Sequence, residues 1–148
     1  MQKRITYIAV TLLFLLYIAA VLCLCLINFS DTAQELPSFI LGIPTDKLVH
    51  FAMFFAYPAV CWLMLTYNKR IKMHPDAVFP VMLITGLIFS ALTETAQGIL
   101  TTCRTPDNMD FLADAIGIIS CTIIIRIAQK PLTALLDKIQ EHCHKMLH

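Results

Sequence analysis

The chain has 148 residues, of which 58% are hydrophobic and 14% charged, with a net charge of +1. A soluble domain of this size carries roughly 25% charged residues, and a mean hydropathy of +0.74 points instead to the bilayer. The near-neutral balance gives no reason to expect a nucleic-acid or strongly acidic partner. The length suits one membrane domain.

Taken in chain order, the first apolar run is Ile5 to Ile27, which holds no charge. It exceeds the roughly 7 to 15 residues of a signal-peptide core, and "AAVLCLCLINFS" offers no clear small-x-small cleavage motif. An uncleaved membrane anchor is expected. The second run, Leu48 to Thr66, contains His50 and Pro58. The third, Ala77 to Leu92, extends through Glu94 and Gln97 and tolerates Pro80 and Gly86, because neighbouring helices can satisfy freed backbone groups. The fourth, Phe111 to Ile125, reaches the roughly 17 to 25 residues of a span only if its helix begins near Asp110. Pro131 is expected to open a separate helix, with Leu132, Leu135, Leu136 and Ile139 at helical spacing, lying on the cytoplasmic membrane surface. The expected fold is therefore all-α: a four-transmembrane-helix bundle over 1–128 and a C-terminal amphipathic surface helix over 129–148.

Cations set the orientation. With four spans, nine of them (Lys3, Arg4, Lys69, Arg70, Lys72, Arg126, Lys130, Lys138, Lys145) share one side with three acids, a net of +6. Lys47 and Arg104 share the other with seven acids, a net of −5. Both termini are expected in the cytoplasm of a multi-pass protein of the cell membrane.

The polar residues scattered over "DKLVH", "ETAQ" and "RTPDNMDFLAD" then belong to one outer face. Asp46, Lys47 and His50 start the second helix, and Glu94 and Gln97 end the third. Asp110 and Asp114 stack at i, i+4 on the fourth, with Arg104 and Asp107 in the loop before it. A carboxylate at mid-helix in lipid costs about 2.5 to 3.5 kcal/mol, less near the edge, so such groups face the bundle and find partners. Five acids around two cations and His50 leave a negative surplus. It can be met by a carboxyl that keeps its proton, by a divalent cation or by a cationic ligand.

Structural roles compete at each position. Asp46 or Asp110 can cap its helix, Lys47 can snorkel to headgroups, and His50 can serve as a buried hydrogen-bonding group. Glu94 with Gln97 can clamp neighbouring helices. Arg104 with Asp107 and Asp110 can close the loop as an ion-pair network. Tyr57, Trp62 and Tyr67 read as packing or interfacial residues. The "HCH" at His142 to His144 has i, i+2 spacing, which diverges on a helix and makes a poor metal site. Of six cysteines, Cys23, Cys25, Cys61 and Cys121 lie in apolar runs, and Cys103 and Cys143 complete no C-x-x-C pair. Neither a disulfide framework nor zinc spacing is present, and there is no Gly-rich phosphate loop or nucleophile elbow.

In "DKLVHF", Tyr57, "ETAQ" and "RTPDNMDFLADAIG" with Gly117, the chain resembles the VanZ-like family of small bacterial membrane proteins over about 46–117. The resemblance implies a role in the bacterial cell envelope, the founding member being associated with teicoplanin resistance, and supplies no reaction. The family usually has Asn where this chain has Asp114; an amide donates and accepts, whereas an ionised carboxylate only accepts. Three functions stay open. The first is binding or modification of an envelope lipid, cell-wall precursor or glycopeptide in the outward pocket. The second is an enzyme acting on a lipid-linked phosphate or ester, with His50, Glu94 and Asp110 as candidate catalytic groups. The third is an accessory subunit whose polar cluster only ties helices together. Transport fits least, because the inner halves of the spans carry no polar relay.

Overall fold

The computed structural model describes residues 2–26, 39–40, 42–67, 73–100 and 107–146. Among these the protein is helical apart from one short hairpin: α1 (Gln2–Leu26), β1 (Phe39–Ile40), β2 (Ile43–Pro44), α2 (Thr45–Tyr67), α3 (Pro75–Leu100) and α4 (Asn108–Met146). Four stretches, Tyr7–Leu26, Thr45–Tyr67, Asp76–Leu100 and Asn108–Ile139, are long and apolar enough to cross a membrane.

The hairpin pairs Phe39 with Pro44 and Ile40 with Ile43, antiparallel. Gly42 sits in its turn at φ 81°, a left-handed position that suits glycine. It delivers the chain directly into the first turn of α2, where Asp46, Lys47 and His50 follow.

Packing centres on α2 and α4. Gly117 makes their close approach feasible: a Cβ there would lie 2.7 Å from the Phe51 carbonyl oxygen and 3.0 Å from Phe55 N, backbone atoms that cannot swing away. Below this crossing lies an apolar core of Tyr57, Trp62, Leu65, Phe79, Met82 and Ile125. Tyr57 is buried there, donating its hydroxyl to Thr85 Oγ1 at 3.0 Å and stacking on Phe89 at 5.9 Å. It is a packing residue. α1 lies at the edge, held by the Tyr17 hydroxyl donating to Met53 O at 2.6 Å, with Leu12, Leu15 and Leu16 exposed. Large aliphatic residues on the outward faces of every long helix, such as Ile99, Ile123 and Ile127, are what a lipid-facing surface requires.

The end of the chain departs from expectation. Pro131 does not open a new helix, because α4 runs through it to Met146. Proline removes one backbone donor, and a single lost bond is tolerated where the remaining turns have packing partners. Here Leu132 and Leu136 pack against the core cluster, while Leu135 and Ile139 stay exposed. The apolar stripe is thus divided between bundle and surroundings. The 32-residue apolar part of α4 is about 48 Å long at 1.5 Å per residue, against a hydrocarbon core of about 30 Å. Its last turns outrun a bilayer unless it tilts steeply.

Candidate functional site

The N-termini of α2 and α4 and the C-terminus of α3 meet at one end of the bundle. α4 starts there because Asp107 caps it: the Asp107 carboxylate accepts from Met109 N at 2.9 Å, and its carbonyl accepts from Asp110 N at 3.0 Å. The cap is therefore Asp107, which frees the Asp110 side chain for the cluster.

Two layers form the site. In the upper layer, Lys47 holds three carboxylates from two elements and the preceding loop. Its ammonium donates to Asp110 Oδ1 at 2.6 Å, to Asp46 Oδ2 at 3.1 Å and to Asp107 Oδ2. The lysine beside Asp107 holds its carboxyl below the usual carboxylate range, with help from the Met109 backbone N–H. The expected alternative, a lysine snorkelling freely to headgroups, does not describe Lys47.

The lower layer is more deeply buried. His50, Glu94 and Asp114 are 3%, 7% and 0% exposed. His50 Nδ1 lies 3.1 Å from Asp114 Oδ1, and Asp114 Oδ2 accepts the Ser90 hydroxyl at 2.7 Å. Asp114 is thus within hydrogen-bonding distance of both His50 and Ser90. Glu94 Oε1 is 3.5 Å from His50 Nδ1, an ion-pair distance rather than a hydrogen bond, and this buried oxygen has no hydrogen-bond partner among the described residues. On the other side of the ring, His50 Nε2 is 3.8 Å from Asp110 Oδ2.

Asp46, Lys47, His50, Glu94, Asp107, Asp110 and Asp114 are thus brought together, as their spacing suggested. Gln97 also reaches across helices: its Nε2 donates to Cys25 O of α1 at 3.0 Å, the interhelical clamp considered for it. Arg104 lies outside the described residues. Ser90 went unrecognised, although Ser90, Glu94 and Gln97 at i, i+4, i+7 trace a polar stripe on α3.

Beside the cluster an open groove of about 420 Å³ runs between α3 and α4, walled by Ala91, Glu94, Thr95 and Ile99 on one side and Asp107, Asn108 and Phe111 on the other. Glu94 belongs to both groove and cluster. Chemically, the site holds a histidine oriented by a carboxylate and an excess of acceptors. Ser90 is committed to Asp114 and is not presented as a nucleophile.

Comparison with family models, curated proteins and solved structures returns no match. The geometry must carry the functional argument.

Proposed function

We propose that the protein is a VanZ-like, multi-pass membrane protein of the bacterial cell envelope, with both termini cytoplasmic. Its polar cluster faces outward and binds the headgroup of an amphipathic envelope molecule, a lipid or cell-wall precursor, while the groove receives the apolar part. The observation that carries this reading is the double position of Glu94, buried against His50 and exposed along one edge to a groove with Ile99 and Phe111 on its walls. Pockets of this kind, mostly apolar with a few convergent polar groups, are the usual form of small-molecule sites. The charge segregation along the sequence supports the orientation.

The test is photo-crosslinking of an amphiphile in cells, with a glycopeptide-susceptibility assay beside it. Glu94→Gln and Phe111→Ala are expected to reduce crosslinking at normal protein levels. Undiminished crosslinking in both variants contradicts the proposal.

One observation favours a second reading, a hydrolase or transferase for a lipid-linked phosphate or ester. The Asp114–His50 pair has the arrangement of a general base and its orienting carboxylate. Turnover of a labelled undecaprenyl phosphate ester by purified protein, abolished in His50→Gln, separates this reading from binding alone.

A further inference from the structure

Two acidic groups lie next to one another in the site, and only one of them has a cation. Asp46, Asp107 and Asp110 bring ligand-type oxygens within 4.8 Å of one another, and the Lys47 ammonium occupies the space they share. His50, Glu94 and Asp110 likewise offer one ligand atom each within 4.8 Å of one another, deeper in the bundle. Among the described residues Lys47 reaches this second group only at Asp110 Oδ1, and no lysine or arginine pairs with His50 or Glu94. Its strongest mark is Glu94 Oε1, buried without a hydrogen-bond partner among the described residues and 3.5 Å from His50 Nδ1. Leaving a buried carboxylate oxygen unsatisfied is costly, and proteins meet that cost with a partner.

The histidine indicates what kind of partner. With Asp114 accepting the Ser90 hydroxyl, the neutral His50 tautomer that donates to Asp114 carries its proton on Nδ1 and its lone pair on Nε2. That lone pair then faces Asp110 Oδ2, another acceptor, at 3.8 Å. Acceptors face acceptors, which is unstable without a positive centre between them. A carboxylate that receives Nδ1–H while Nε2 points at further ligands is also the usual outer-sphere arrangement of a metal-bound histidine.

We propose that His50 Nε2 and carboxylate oxygens of Glu94 and Asp110 bind one divalent transition-metal ion of the Mn²⁺ or Zn²⁺ class. The imidazole nitrogen favours these ions over Mg²⁺ and Ca²⁺, which prefer all-oxygen sets. Ligand atoms about 2.1 Å from a tetrahedral ion lie roughly 3.4 Å apart, so the 3.8 Å between Nε2 and Asp110 Oδ2 needs only a small closure, whereas Glu94, whose Oε1 is 3.5 Å from Nδ1, must swing toward Nε2 to join them. Three protein ligands leave a coordination position for water or for an oxygen of a bound molecule, and Glu94 places it beside the groove. Asp114 is a positioning residue. The inference rests on the site described above and supplies its missing positive charge.

The experiment is a Mn²⁺ titration of EDTA-stripped full-length protein in phosphatidylcholine nanodiscs, with free Mn²⁺ read by electron paramagnetic resonance and Zn²⁺ as competitor. No amphiphile is present, so a failure of the amphiphile proposal leaves this result intact, and the reverse also holds. The expected result is one saturable, Zn²⁺-displaceable site per chain. It is lost in His50→Gln and Glu94→Gln, weakened roughly 10- to 100-fold in Asp114→Asn, and unchanged in Asp76→Asn at the opposite end of the bundle. In the wild-type protein, spin-echo modulation from a coordinated imidazole nitrogen provides a readout that needs no variant to fold. No saturable binding, equal affinity in His50→Gln, or bound Mn²⁺ without nitrogen modulation would each overturn the proposal; protonation of His50 would then supply the positive centre.

Discussion

The same three helices, α2, α3 and α4, pack at both ends of the bundle, but the two ends bury opposite kinds of side chain. At the far end Trp62, Leu65, Phe79, Met82 and Ile125 are buried. The charges there remain at the perimeter: Arg126 lies 4.7 Å over the Phe79 ring and 3.9 Å from Asp76, both charged side chains more than half exposed. At the site end three ionisable groups, His50, Glu94 and Asp114, are inside, with Asp114 fully buried. Packing alone accounts for the far end. At the site end, burial of acceptors beyond what Lys47 satisfies has no packing advantage, and such arrangements in membrane helices are a mark of function.

The comparison can be broken most severely at the seam between the ends. Gly117→Leu places a side chain where even a Cβ meets backbone, and overpacking of this kind costs about 3 kcal/mol. The expected outcome is a large drop in the thermal-unfolding midpoint in detergent, with both ends affected. Next comes Met82→Ala, at a fully buried far-end position. It is expected to destabilise by roughly 2 kcal/mol through lost packing while leaving amphiphile crosslinking unchanged. Asp114→Asn should do the reverse. It keeps the shape but weakens the acceptor for Ser90 and His50, so a stability change of about 1 kcal/mol is expected, with loss of ligand binding in the crosslinking assay.

The smallest effect concerns pH. Asp107 is held below the ordinary carboxylate range by Lys47, so its contribution to stability is complete above the unfolded value of about 4 and is lost as pH falls through the lower folded value. The difference in unfolding midpoint between wild type and Asp107→Asn should therefore be present near neutral pH and vanish in strong acid. Asp107 is an exposed group, and the difference should be modest.

The helices were legible in the sequence because uninterrupted apolar runs have few alternatives, and the convergence of Asp46–His50, Glu94 and Asp107–Asp114 follows from the antiparallel alternation of such runs. What was not legible depended on backbone detail. Pro131 is a strong breaker in isolation, yet Leu132 and Leu136 find the core and hold the helix through it. Asp107 rather than Asp110 or Asp46 has the described capping bond, a distinction of a few residues that spacing cannot make. Ser90 looked like an ordinary small residue in an oily run until Asp114 was seen opposite it.

The central claim is that residues from three separate helix ends form one site on the outer surface of the membrane. The most direct test is impermeant-maleimide labelling of intact cells carrying single substitutions, Asp46→Cys, Asn108→Cys or His74→Cys, in a background without the native cysteines. The account predicts labelling at positions 46 and 108, and at 74 only after permeabilisation. Labelling of only one of positions 46 and 108, or of 74 together with them in intact cells, would contradict it.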